Sequence, residues 1–334
     1  MKLGLQLGYW MGPTPPTNHL ELARAAESLG YDSLWFGEAY GSDVFSPLCW
    51  IGSHTQKLKL GTSVMQLSAR TPTCAAMTAA TIDHLSGGRL ILGVGVSGPQ
   101  VVEGWYGQPF PKPMARTREY IQIMRDAWRR EAPVTSPGPH YPLPYPGGAK
   151  LGKPLKLIIH PLRREIPIYL GAEGPKNVAM AFEICDGWLP LFISPFRLEI
   201  FAEALAQRKP GFEIAATVMV NVSDDLEQAL LPVKMMLGFY LGGMGAKSRN
   251  FHVNLLNRMG FDQVTPKIQE LFFAGRREEA VRAIPDEMAD EMSLCGPKER
   301  IRERLAVWKK SPITTIMYGG GDLDTMRFLA EACL

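Results

Sequence analysis

The chain has little charge of one sign to spare: 36 Lys and Arg stand against 33 Asp and Glu over 334 residues, a formal net charge of +3. No concentrated basic block is present to neutralise a phosphate backbone, so nucleic acid is not expected as the main partner. Cysteine is sparse, with five residues (Cys49, Cys74, Cys185, Cys295 and Cys333) scattered and odd in number. That pattern excludes a disulfide framework and points to a reducing, cytoplasmic setting. Uncharged stretches are too short, or too rich in Pro and Gly, to cross a bilayer, and Met1 leads into the strand-like Lys2–Gly8 with no signal-peptide layout. No two histidines have metal-ligand spacing, and neither a nucleophile elbow nor a Ser/His/Asp constellation is legible, so no metal is expected. The six histidines carry no signal of their own.

What is plentiful is turn-forming residues, 33 Gly and 27 Pro, in a chain whose 46% hydrophobic content is ordinary for a globular protein. They punctuate a repeating rhythm of short apolar run, turn and helix. Strands are predicted at Lys2–Gly8, Ser33–Gly37, Lys57–Val64, Leu90–Val94, Ile166–Leu170, Gly187–Leu191, Ile214–Val222 and Thr314–Tyr318. Between them, Leu22, Ala25, Ala26 and Leu29 repeat at helical spacing, and Gly30 ends that helix. Pro72 suits the first turn of another helix, whose face of Ala75, Ala76, Ala79 and Ile82 can pack closely on a sheet. Eight strands alternating with helices imply parallel pairing and an α/β fold closed as a (β/α)8 TIM barrel. A doubly wound open sheet is the competing architecture.

One domain over residues 1–334 is expected, with irregular insertions at about 107–165 and 237–264. Pro133–Pro154 is half Pro and Gly. Leu237–Val264 carries Gly242-Gly-Met-Gly245 and then Phe251, His252, Leu255, Leu256 and Met259. Such excursions on a barrel cover the site or build a subunit contact.

Four strand ends hold the residues that could carry chemistry. Glu38 ends the second strand, where a carboxylate points into the barrel mouth and can bind a ring nitrogen or transfer a proton. Gly61, Thr62 and Ser63 end the third strand and leave room for a bulky planar ligand. Gly93-Val-Gly-Val-Ser-Gly98 satisfies a dinucleotide fingerprint, yet no long helix opens there and no acidic residue ends the next strand. A tight βα loop is the better reading. After the fifth strand, Gly171-Ala-Glu-Gly-Pro-Lys-Asn177 leads into a helix on which Val178, Ala181, Phe182 and Cys185 share a face. Its first N–H groups near Lys176 and Asn177 make a site for an anion such as phosphate, provided the Glu173 side chain turns away. Trp10, Tyr40 and Trp105 follow strand ends and are expected to line a substrate pocket.

In order along the chain stand Trp35-Phe-Gly-Glu38, Leu60-Gly-Thr-Ser-Val64, Ala69-Arg-Thr-Pro72, Leu85-Ser-Gly-Gly-Arg89, Leu92-Gly-Val-Gly95, Gly171-Ala-Glu-Gly-Pro175 and Cys185-Asp-Gly187. This set resembles the bacterial luciferase-like monooxygenase superfamily, most closely its coenzyme F420-dependent oxidoreductase branch. The resemblance covers residues 1–110 and 165–222 well and the C-terminal third loosely. It implies a dimeric TIM barrel holding a deazaflavin, or alternatively FMN, at the C-terminal ends of the strands. It also implies a non-prolyl cis peptide at Ser63–Val64 behind the ring, and Glu38 near the ring's polar edge. Gly95, Val96 and Ser97 would lie alongside the cofactor, and Gly171, Ala172, Glu173, Gly174, Pro175, Lys176 and Asn177 would hold its phosphate. Sugar-phosphate dehydrogenases of this branch follow their acidic residue with His and place a Glu in the fourth-strand loop. Here those positions are Ala39 and Gly98, which argues against a sugar-phosphate substrate. The resulting expectation is hydride transfer between deazaflavin C5 and a small organic substrate such as a carbonyl, alcohol or activated alkene. An FMN monooxygenase and a non-catalytic deazaflavin carrier are the alternatives.

Overall fold

A computed structural model describes residues 1–10, 12–244 and 250–334. Eight parallel strands close on themselves: β1 (Lys2–Gly8), β2 (Ser33–Phe36), β3 (Lys59–Thr62), β4 (Leu90–Gly95), β5 (Ile168–Gly171), β6 (Gly187–Leu189), β7 (Glu213–Val222) and β8 (Thr315–Gly319). Closure is made by β8, which pairs with β1 from Lys2↔Thr315 and with β7 from Thr315↔Ala215. The expected TIM barrel is therefore the fold, and the open sheet is excluded.

The barrel interior is a small cluster of Trp35, Ile91, Tyr169, Leu189, Ala215 and Met317. Trp35 fits because β3 carries Gly61 opposite it: a Cβ there would lie 2.1 Å from Trp35 Cε3. Outside the strands, the alanine face of helix Pro72–Leu85 is buried as its spacing predicts. Helix Pro113–Arg129 packs on it, with Trp128 Nε1 donating to Ala76 O at 2.9 Å. At the opposite end of the barrel, Gly87 and Gly88 turn with positive φ. They bring the Arg89 guanidinium onto the carbonyls of Ser86, Leu58 and Gly52, at 2.8, 2.9 and 2.8 Å.

Three departures from the sequence reading bear on the site. The third strand is interrupted at the Ser63–Val64 peptide, which is cis as the resemblance implies: β3 stops at Thr62, and pairing resumes as Met65–Gln66 against Val94 and Gly95. A ninth parallel segment, Ser293–Gly296, pairs with Met219–Val222, because ten-residue β7 runs past the barrel wall. The first insertion is regular over its early part, where Pro113–Arg129 is a helix. Beyond it the chain is irregular, stapled by bridges Val134↔Leu155 and Ser136↔Leu143. Around the second insertion, Leu237–Gly242 completes helix Leu226–Gly242, and helix Phe251–Leu256 follows Asn250, which caps it. Gly245 and residues 246–249 lie outside the described residues.

Candidate active site

A cavity of about 1060 Å³ opens at the C-terminal ends of the strands. It is lined by every expected cofactor residue: Glu38, Ser63, Val64, Gly95, Val96, Ser97 and the whole run Gly171–Asn177. Strand order brings these segments together, since β3, β4 and β5 are neighbours in the barrel.

Val64 forms one wall. A Cβ on Gly95 would lie 2.5 Å from Val64 Cγ2, and one on Gly171 would lie 3.0 Å from Val64 Cγ1. Two glycines on adjacent strands thus leave the space that the valine fills. Ser97 follows with φ of 59°, turning the loop back along the rim.

Glu38 does not have the geometry expected of a proton-transfer group. Arg70 Nη1 and Nη2 donate to its Oε2 and Oε1 at 2.9 and 2.8 Å, while Gln66 N and Val44 N donate at 3.0 and 3.3 Å. Burial alone would lower the Arg70 pKa, but the adjoining Glu38 carboxylate raises it above the ordinary value. A carboxylate committed to four donors is held in place. Its neighbour Gln66 is fixed in turn, Nε2 donating to Glu38 O at 2.9 Å. Arg70 and Gln66 were not singled out from the sequence, because a lone Arg before a helix has no distinguishing spacing.

The segment after β5 folds as its composition predicts. Gly174 is the N-cap of helix Pro175–Ile184, in extended conformation, and its carbonyl accepts from both Asn177 N and Val178 N at 2.9 Å. Trp188 Nε1 holds Ala172 O at 2.8 Å. The Glu173 side chain turns to His252, Oε1 to Nδ1 at 2.8 Å, and Arg258 Nη2 donates to Glu173 O at 2.7 Å. That orientation removes the conflict between a carboxylate and an anion at the helix start. His252 also packs edge-on against Tyr240 and Phe192, with ring centroids 4.8 and 5.7 Å away. The sequence reading therefore missed His252, whose partner is 79 positions away.

Tyr40 and Trp105 stand at the cavity mouth, largely exposed, with ring centroids 6.5 Å apart. Trp10 does not join them. It is absent from the lining; its N–H donates to Ser42 Oγ at 3.1 Å and its ring lies 6.4 Å from that of His19. Tyr9, one position earlier, faces the cavity instead. Burial raises the hydroxyl pKa of both Tyr9 and Tyr240, so they serve as neutral hydrogen-bonding groups.

Among the described residues, four buried polar atoms of the lining lack a protein partner: Gln6 Oε1, Gln66 Oε1, Glu173 Oε2 and Asn177 Oδ1. Buried polar groups are seldom left unpaired, so these mark where a ligand with polar edges would bind. Among the described residues, no three His, Cys, Asp or Glu side chains are placed to hold a metal, and no helix is long and apolar enough to cross a membrane.

The model of the luciferase-like monooxygenase family matches residues 4–315. A Mycobacterium tuberculosis protein with the provisional name of coenzyme F420-dependent oxidoreductase is 55% identical, the match covering 99% of this chain and 98% of that one. The coenzyme F420-dependent tetrahydromethanopterin reductase of Methanopyrus kandleri superposes with a TM-score of 0.77 at 22% identity, over 99% of this chain and 97% of the other. An F420-dependent secondary alcohol dehydrogenase, solved with an F420-acetone adduct, superposes at 0.74 and 19% identity over the same shares. At those identities the two structures speak for the fold alone.

Proposed function

The chain belongs to the luciferase-like monooxygenase family, and we propose that within it the protein is a coenzyme F420-dependent oxidoreductase acting on a small organic substrate. The observation that carries this reading is the single cavity in which the Val64 wall, the Gly95–Ser97 loop and the Gly171–Asn177 turn converge. Bound coenzyme F420 supplies or accepts a hydride at C5, chemistry that resides in the cofactor.

The chain's own residues bind and orient. Val64, seated against Gly95 and Gly171, offers an apolar face for a flat ring. Gln6 and Gln66 present buried amide groups to a polar ring edge. Gly174 to Asn177 offer the start of a ten-residue helix to a phosphate, where the helix dipole favours negative charge. Glu38 is a positioning residue that fixes Gln66 through its backbone. Tyr40 and Trp105 receive the outer part of the substrate, and the lining around them includes Met114, Met236 and Met244, soft side chains suited to apolar shapes.

The same reading makes the protein a cytoplasmic homodimer. All five cysteines are free, which suits a reducing compartment, and exposed Leu151, Leu155, Ile158 and Leu162 offer apolar surface to a second copy.

Fluorescence titration with oxidised deazaflavin, set against FMN, tests the cofactor. Tighter binding of deazaflavin is expected, and a preference for FMN would make the protein a flavin monooxygenase instead. Turnover of reduced deazaflavin with a panel of ketones and enones separates an enzyme from a carrier.

A further inference from the structure

The proton that must accompany hydride transfer to a carbonyl has no donor among the residues considered so far. Glu38 is committed to Arg70, Gln66 and Val44. The pKa values of Tyr9 and Tyr240 are raised by burial, and Lys176 is exposed at the helix start. His252 is the sole histidine among the described cavity-lining residues, and its Nδ1 is 2.8 Å from a Glu173 carboxylate whose side chain is only 12% exposed.

We propose that His252, oriented by Glu173, is the acid–base residue that donates the proton to the substrate oxygen during reduction and removes it during oxidation. The proposal rests on the F420-dependent reading above. Three features of the site support it. The hydrogen bond from Nδ1–H to Glu173 fixes the tautomer and leaves Nε2 as the atom able to exchange a proton; among the described residues Nε2 makes no hydrogen bond. The ring is clamped edge-on by Phe192 and Tyr240, so its direction is set by packing rather than by substrate. Arg258 anchors the Glu173 backbone at the carbonyl, so the carboxylate is held where it can stabilise an imidazolium.

With reduced deazaflavin bound, its C5 would supply a hydride, with its electron pair, to the carbonyl carbon. The carbonyl π pair moves to oxygen, which takes the proton from His252 Nε2. The substrate is reduced to an alcohol, the deazaflavin is oxidised, and the imidazole is left neutral, to be reprotonated from water. An acid–base residue of this kind contributes about 10²–10⁴-fold in rate. The pair stands on the β5 loop and the second insertion.

The test uses the full chain as wild type, His252→Gln and Glu173→Gln. Deazaflavin affinity is read by fluorescence quenching, and single-turnover ketone reduction is followed across pH. The titratable and charged groups around the imidazole are Glu173 on the β5 loop, Tyr240 on helix Leu226–Gly242, and Arg258 just past His252's own helix. Expected for His252→Gln, whose amide can keep the contact that turns Glu173 away, are deazaflavin binding within threefold of wild type, a rate at least 100-fold lower, and loss of the fall in rate that wild type shows toward alkaline pH. Expected for Glu173→Gln is a rate about tenfold lower with that decline retained. If His252→Gln instead weakens deazaflavin binding more than tenfold, the pair serves the cofactor's anionic tail and the proposal is wrong. If it binds normally and keeps the wild-type rate and pH profile, the proposal is wrong while the functional reading stands. If wild type neither binds deazaflavin nor reduces any ketone, the functional reading fails, and the proposal with it.

Discussion

Arg70 closes both terminal nitrogens on the Glu38 carboxylate, a fork at 2.9 and 2.8 Å in which the two side chains are 17% and 4% exposed. Two backbone N–H groups, from Val44 and Gln66, complete the shell. The loops after β2 and β3 are joined through this one carboxylate, and both loops face the cavity. The arrangement clamps one wall of the cavity.

Removing one partner of a buried pair leaves an uncompensated charge, which costs about 3–5 kcal/mol. Arg70→Ala is therefore expected to lower unfolding free energy by about 3 kcal/mol in denaturant titrations. Glu38→Gln should likewise be destabilised, while the fraction that remains folded reduces substrate at a rate within tenfold of wild type. A 100-fold rate loss at unchanged stability would restore a proton-transfer role to Glu38.

The Val64 wall predicts a conditional effect. Gly95→Ala places a Cβ 2.5 Å from Val64 Cγ2, and the valine has to move toward the cavity. Deazaflavin affinity is expected to fall about tenfold. In a Val64→Ala background, where the colliding methyl group is gone, the same Gly95→Ala change should have little effect. A double-mutant cycle on affinity measures the coupling, and additive effects would mean that Gly95 acts on something other than Val64.

The barrel was legible from sequence because its signals are local. Apolar runs set all eight strands, and helix Pro72–Leu85 announces itself by Pro at the start and by face periodicity. The cavity-lining segments were legible for a related reason: each is a short strand-end motif, and barrel closure assembles them. What escaped was contact between distant elements. Nothing in the local sequence links Glu38 to Arg70, 32 positions on, or Glu173 to His252. Trp10 was misplaced because a strand-end aromatic can turn to either side of the rim, and here Tyr9 turned inward. Segment Ser293–Gly296 escaped because its partner is the overhang of β7, a length that periodicity does not reveal.

The helix start after β5 makes a prediction free of steric ambiguity. Gly174 has φ of −71°, and a Cβ there meets nothing within 4 Å, so the fold accommodates Gly174→Asp. The added carboxylate competes with a bound anion: like charges 4 Å apart repel by about 1 kcal/mol in water and about 4 kcal/mol near a protein surface. Deazaflavin affinity should fall tenfold or more at low salt, less at high salt, with an unchanged melting temperature. Gly174→Asn, uncharged and similar in size, should bind nearly as wild type. Equal losses in the two variants would remove phosphate from this turn.

The opposite end of the barrel carries stability rather than function, and Glu27 allows that to be checked by pH. Its Oε1 accepts from Gln56 N, Lys57 N and Leu58 N at 2.7, 2.6 and 3.1 Å, tying the first helix to the entry of β3. Burial works to raise its pKa, but the three N–H donors and nearby Arg89 outweigh it and hold the carboxyl below its ordinary value of 4.5. A carboxyl depressed in the folded state contributes stability that is complete above the unfolded value, and that contribution is lost as pH falls through the folded value. Glu27→Ala is thus expected to cost about 1 kcal/mol at neutral pH. The difference from wild type should shrink as pH drops below the ordinary carboxylate range, while deazaflavin affinity at neutral pH is unaffected. Denaturant midpoints measured from pH 7 down to pH 3 decide it: a gap between variant and wild type that stays constant on acidification would mean that Glu27 acts by packing alone.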